Sequence, residues 1–99
     1  MPKYHLSKKA EDDLSNIWNY TVDTWSENQA DKYYAMLVDC CQALANQPKL
    51  GKKYNAVNQN LLGYMVGQHI IFYFVVSEKE IEVIRILHSR MDLKQRLIE

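Results

Sequence analysis

The chain has no surplus of charge of either sign: twelve Lys and Arg stand against twelve Asp and Glu in 99 residues. Proteins that live on nucleic acid usually carry a basic excess, because phosphate neutralisation dominates their affinity. The balance argues against RNA or DNA as the main partner, while leaving room for a local basic patch. Long apolar runs are missing too. The longest, Ile70 to Val76, falls far short of the ~20 residues that a membrane-spanning helix needs. The opening Met-Pro-Lys-Tyr-His holds no apolar signal-peptide core. No membrane partner is expected, and the cytoplasm is the expected compartment. Cysteine is scarce as well. Cys40 and Cys41 are the only two and they are adjacent, a spacing that closes a disulfide only in a strained ring and matches no zinc motif. No metal or cofactor is expected. The pair reads as two small apolar side chains on a helix, at least one of them buried. Repeats, low-complexity stretches and charge blocks are also lacking, so residues 1–99 read as one small domain.

What the chain does have is a 47% apolar content and many amphipathic aromatics, seven Tyr and two Trp. Such side chains suit a surface that is half dry and half wet, which describes both an interface and the rim of a small core. Lys3 to Leu6 can form a short first strand. Ser7 then fits a helix N-cap, with Glu11, Asp12 and Asp13 in the first turns where the helix dipole favours anions. Ala10, Leu14, Ile17 and Thr21 recur at helical spacing, so residues 8 to about 25 form an amphipathic helix. Ser26 followed by Gln29 is a capping-box pattern that opens a second helix. Its stripe runs through Ala30, Tyr33 or Tyr34, Leu37, Cys40 or Cys41, and Leu44, and Pro48 and Gly51 stop it. Two such helices with a tight join make an antiparallel hairpin. Trp18 and Trp25 belong to its core or its edge.

Lys49 to Asn60 is polar and reads as a loop. Leu61 to Val66 is a strand candidate, followed by Gly67-Gln68 as a two-residue hairpin turn. His69 to Val76 is nearly all apolar and suits a central strand. Ser77 to Glu80 is a turn, Ile81 to His88 the last strand, and a short helical turn begins near Asp92. The predicted architecture is α+β in the order β-α-α-β-β-β. An antiparallel helical hairpin packs on a small, mostly antiparallel sheet, and a short helical turn closes the chain. The central strand is apolar on both sides: Ile70, Phe72 and Phe74 point one way, Ile71, Tyr73 and Val75 the other. One helical layer covers one face, so the other is predicted to be bare and to meet a partner.

The closing half carries a more specific signal. His69-Ile70-Ile71-Phe72-Tyr73 is followed by Ile81-Glu82-Val83-Ile84-Arg85-Ile86-Leu87-His88, then by Met91-Asp92-Leu93. This resembles the last strands and tail of toxins of the RelE/ParE superfamily, nearest the ParE branch. Tyr4, Leu6, Ala10, Asp13-Leu14, Ile17, Tyr20, Trp25, Tyr34, Leu37, Leu44-Ala45, Pro48 and Gly51 extend the resemblance over nearly the whole chain. There is one departure. Relatives often carry Gly-x-Arg in the strand before the central one, where this chain has Asn60 and Leu62. The resemblance implies the toxin of a type II toxin–antitoxin system, held in check by a cognate ParD-like antitoxin encoded beside it. The better known ParE members inhibit DNA gyrase, whereas catalytic cousins cleave mRNA in the ribosomal A site.

A ribonuclease of this kind needs an acid–base pair and cations around a pentavalent phosphorane. The available residues are His69, Tyr73, Arg85, His88 and Arg90. Simple alternation places Arg85 with Ile81, Val83 and Leu87 on one face, and His88 with Ile84 and Ile86 on the other. Leu62 removes a further cation. No catalytic residue is therefore assigned, and the expected action is protein–protein binding to gyrase. The alternatives are a ribosome-dependent mRNA interferase and a member that binds its antitoxin without being toxic. A mid-strand Arg among apolar neighbours needs a partner. Arg85 pairs with an acid, lies along the sheet with its head in water, or is read by an antitoxin or target. His88 is expected to cap the sheet and hydrogen-bond the tail near Asp92, which itself N-caps the last turn. His69 reads as an ordinary exposed residue beside a turn. Arg90, Lys94 and Arg96 form a small basic tail, a solvated end or the toxicity surface. The residues assigned to antitoxin or target binding are Tyr73, Arg85, His88, Arg90, Asp92 and Arg96.

Overall fold

A computed structural model describes residues 1–97. The elements are β1 (Lys3–Leu6), α1 (Lys8–Thr24), α2 (Glu27–Asn46), a 3₁₀ turn at Pro48–Leu50, β2 (Lys52–Lys53), β3 (Leu62–Val66), β4 (His69–Ser77), β5 (Glu80–His88) and α3 (Leu93–Leu97). Both long helices start as their sequences dictate. The Ser7 hydroxyl accepts the Ala10 amide at 3.1 Å, and the Ser26 hydroxyl accepts the Gln29 amide at 3.0 Å. Each bond satisfies one amide that an α-helix leaves orphaned at its first turn.

The sheet runs in the order β1-β5-β4-β3-β2, with β1 parallel to β5 and every other pair antiparallel. The parallel contact is possible because the whole helical hairpin separates β1 from the meander, giving the chain room to cross over. The β3–β4 hairpin turns on Gly67, whose φ of 58° is a left-handed value that costs glycine nothing. Asn60 also takes a left-handed backbone, φ 71°; its short amide side chain tolerates that region better than most. β2 lies inside the segment expected to be loop. Its two lysines pair with Leu62 and Gly63, and so short a strand is set by its neighbour and leaves no periodicity to read.

The helix-facing side of the sheet holds the main core. Ala10 and Leu14 of α1 and Leu37, Cys41 and Leu44 of α2 meet Ile71, Tyr73, Ile81, Val83 and Ile86. Cys41 is fully buried and free of any disulfide, and burial with the neighbouring Cys40 pushes its thiol up to about 12. The opposite face corrects the sequence expectation. Ile70 and Phe72 are buried there together with Leu61 and Leu87, at 4% exposure or less. The 54–61 loop lays Tyr54 and Val57 over them, and α3 adds Leu93 and Leu97. Tyr54 meets Phe72 edge-on with centroids 5.1 Å apart. Burying each of these large side chains stabilises the fold by about 1.5–3 kcal/mol, which a naked face would forfeit. The loop and tail looked too polar for the task because only a few of their residues do the covering.

A β-bulge then decides what the last strand presents. Phe72 faces Arg85 but Tyr73 faces Val83, so Ile84 is an extra residue in β5. One inserted residue inverts the alternation beyond it. Ile81 and Val83 therefore share the helix-facing core with Ile86, while Ile84 and Leu87 go to the other side. Relative to Ile81 and Val83, the faces read from simple alternation are inverted from Arg85 onward.

Candidate functional site

β1 ends at Leu6 while β5 runs on to His88, which leaves the outer edge of β5 without a neighbouring strand from Ile84 onward. The start of α1 closes that gap. The Ser7 hydroxyl donates to the Ile84 carbonyl at 2.7 Å, and Asp13 Oδ2 accepts the Ile86 amide at 2.9 Å. The same carboxylate holds Arg85 bidentately, Nε to Oδ2 at 2.9 Å and Nη2 to Oδ1 at 3.1 Å. Arg85 Nη1 also donates to the Arg96 carbonyl at 3.1 Å, so one guanidinium ties α1, β5 and α3 together. Of the three readings open for Arg85, the ion pair with an acid is the one present. Asp13 belongs to that pair, and the helix dipole alone does not account for it.

Around this clamp lies an open cavity of about 560 Å³. Arg85, His88, Arg90 and Arg96 line it with Asp13, His69 and Asn16, and Ile17, Tyr20, Ile86, Leu87 and Met91 supply apolar wall. Arg85 and His88 still leave β5 on opposite faces, opposite Phe72 and His69, yet both line this cavity, against the expectation that the strand would hold them apart.

The two histidines meet edge-on, with ring centroids 5.3 Å apart. His88 Nδ1 accepts the Arg90 amide at 3.0 Å, so His88 fastens the strand end to the tail at Arg90 rather than near Asp92. That bond requires an unprotonated Nδ1, and the neutral ring carries its proton on Nε2. His69 is not the exposed residue expected. It is half-buried, and its Nδ1 lies 2.7 Å from the Tyr33 hydroxyl, which also accepts the Gln68 amide and donates to the Val66 carbonyl. Burial foremost, then the neighbouring His88, lowers the His69 pKa from 6.5 to about 4, with Asp13 pulling weakly the other way. His69 is therefore neutral at pH 7. Burial likewise raises the Tyr33 hydroxyl, partly offset by the Gln68 amide.

Two of the expected binding residues stand outside the cavity. Tyr73 is fully buried on the helix side, where its hydroxyl donates to the Pro48 carbonyl at 2.6 Å and accepts the Gly51 amide at 3.0 Å. It anchors the exit from α2 and offers a partner no surface. Gly51 does more than stop the helix, because a Cβ there would strike the Tyr73 ring. Asp92 is exposed and N-caps α3, its carboxylate accepting the Gln95 amide at 3.2 Å. Leu62 is half-buried and pairs with Tyr73 across the sheet, packed against the main core. Sequence reasoning missed Asp13 and Tyr33 as parts of this site, and named His69 among the available residues but read it as exposed. For Asp13 a signal existed: position 13 sits three after Ala10 and four before Ile17, on the flank of the buried stripe.

Among the described residues no group of His, Cys, Asp and Glu is arranged to hold a metal ion, and no helix is long and apolar enough to cross a membrane. The profile of the ParE toxin of type II toxin-antitoxin system, parDE, matches residues 4–93. Toxin ParE1 of Mycobacterium tuberculosis (strain H37Rv) is 34% identical over 95 residues, covering 96% of this chain and 97% of that protein. Toxin ParE1 of Caulobacter vibrioides is 31% identical over 97 residues, covering 98% and 99%. A chain from the chromosomal ParDE TA system of P. aeruginosa shares the fold at a TM-score of 0.76, with 20% identity over 89% of this chain and 96% of that one. The match runs from β1 to the start of α3 and spans Asp13, Arg85 and the bulged strand: this chain belongs to the ParE toxin family of type II toxin–antitoxin systems.

Proposed function

We propose that the protein arrests growth by gripping DNA gyrase with the surface around the cavity, without cutting nucleic acid, and that a ParD-like antitoxin neutralises it in the cytoplasm. The observation that carries this reading is the engagement of Arg85. Its guanidinium is committed to Asp13 and to the Arg96 carbonyl, so this cation serves the fold rather than a phosphate. His69 is held neutral by burial, and Leu62 supplies no cation from β3. Purified protein should block supercoiling by gyrase, or trap its cleaved DNA, while ribosome-bound mRNA stays intact. Unimpaired gyrase at toxic concentrations would remove the reading.

One observation favours a second reading, a ribosome-dependent mRNA interferase. His88, Arg90 and Arg96 line the same cavity as Arg85. Codon-internal cuts in ribosome-bound mRNA that vanish in a folded His88→Gln variant would establish it.

A further inference from the structure

We infer that the cavity between α1, the end of β5 and α3 is an oxyanion receptor that seats a carboxylate-bearing segment of a protein partner. The inference rests on the reading that this surface grips a protein, and it names the chemistry of what is gripped. Within a mostly apolar lining, the described polar side chains include three arginines, Arg85, Arg90 and Arg96, and one acid, Asp13, to which Arg85 is committed. Both oxygens of Asp13 are occupied, Oδ1 by Arg85 Nη2 and Oδ2 by Arg85 Nε and the Ile86 amide. The acid that would repel an anion is thus already neutralised.

His88 adds a donor of fixed sense. Its Nδ1 accepts the Arg90 amide, which leaves Nε2–H as the group the neutral ring can offer. Arg90 is exposed, and among the described residues its guanidinium enters no ion pair. A guanidinium beside an imidazole N–H suits a carboxylate or a phosphate, which bind by charge-assisted hydrogen bonds.

The rest of the wall chooses between those anions. Ile17 and Met91 line the cavity beside Tyr20, which is 68% exposed. An acidic peptide segment can lay its own apolar side chains against them, whereas a bare phosphate leaves them wet. The chain's zero net charge supplies no general pull on a polyanion. A volume of about 560 Å³ lies within the roughly 300–1,000 Å³ of sites that enclose small groups.

The test uses the full chain at pH 7.5 and follows the ring Cε1–H resonances of His69 and His88. The probes are the blocked peptide acetyl-Leu-Glu-Glu-Leu-amide, its glutamine counterpart acetyl-Leu-Gln-Gln-Leu-amide, inorganic phosphate, and a short single-stranded oligoribonucleotide. The glutamate peptide should give saturable shifts at both rings, and the glutamine peptide none. Arg90→Gln should weaken the glutamate peptide about fivefold, the scale of one exposed charge pair, and Arg90→Lys should restore most of it. Equal response to the two peptides, no saturable shift, or tighter binding of phosphate or the oligoribonucleotide than of the glutamate peptide would each overturn the inference. Failure of the target reading looks different. Untouched gyrase together with Arg90-dependent peptide binding would leave the receptor standing and change only its partner.

Discussion

Asp13 Oδ2 accepts two hydrogen bonds at once, from Arg85 Nε and from the Ile86 amide, each at 2.9 Å. The acid therefore does the work of a missing strand: it satisfies the bare edge of β5 and neutralises the Arg that projects beside it. Both side chains are nearly buried, at 13% and 11% exposure, so solvent screens the pair little. Removing one member leaves the other charge stranded, which typically costs about 3–5 kcal/mol. Asp13→Ala should lower stability by that amount in urea unfolding. The double variant Asp13→Leu with Arg85→Met should recover much of the loss, because an apolar pair of similar size needs no charge compensation.

Tyr73 supplies a second stability test. Its hydroxyl stands between the Pro48 carbonyl and the Gly51 amide. Tyr73→Phe keeps the ring in the core but leaves both backbone groups without their partner, a loss of about 1–3 kcal/mol. The unfolding midpoint should fall while the binding of Glu-containing peptides to the cavity, on the far side of the sheet end, stays unchanged.

The caps, the turn and most of the core were legible in the sequence because they are local. Ser7 and Ser26 announce helices three residues before the amides they bind, and Gly67 marks the hairpin by its need for positive φ. The alternation of Ile70, Phe72 and Phe74 against Ile71 and Tyr73 assigns both faces of β4 correctly. What failed was tertiary. The bulge at Ile84 has no Gly or Pro to mark it, and it turned Arg85 and Leu87 away from the face of Ile81 and Val83. The cover over Ile70 and Phe72 comes from residues such as Val57 and Leu97, scattered through polar segments. The partner of Arg85 lies 72 positions away, hidden within an acidic run whose other members face solvent.

Acid should loosen the protein through His69. Its pKa is near 6.5 when unfolded and about 4 when folded. Below pH 6.5 the unfolded chain takes up a proton that the folded one refuses, so stability falls as pH drops from about 6.5 to about 4 and then levels. The full effect is at most about 3 kcal/mol. Unfolding free energies measured across that window should slope downward toward acid, and the slope should shrink in His69→Gln. A wild-type curve flat between pH 6.5 and 4 would show that the ring protonates freely in the folded state.

Cys41 is predicted to be chemically silent. Fully buried, with its thiol pushed up to about 12, it has almost no thiolate at neutral pH. Under native conditions a thiol-reactive dye should label Cys40 alone, slowly, since burial and Asp39 raise its pKa as well. Labelling of both at equal rates would mean that α2 opens from the sheet far more often than its packing implies.

The most direct test of action by gripping is stoichiometric. A poison that binds its target is consumed by it, whereas a ribonuclease turns over. Increasing amounts of purified toxin added to a fixed amount of gyrase should abolish supercoiling in proportion to the toxin present, reaching completion near equivalence. The same preparation added to translating ribosomes should leave the mRNA whole. Loss of mRNA at toxin levels far below those of the ribosomes, with supercoiling untouched at equivalence, would contradict the account.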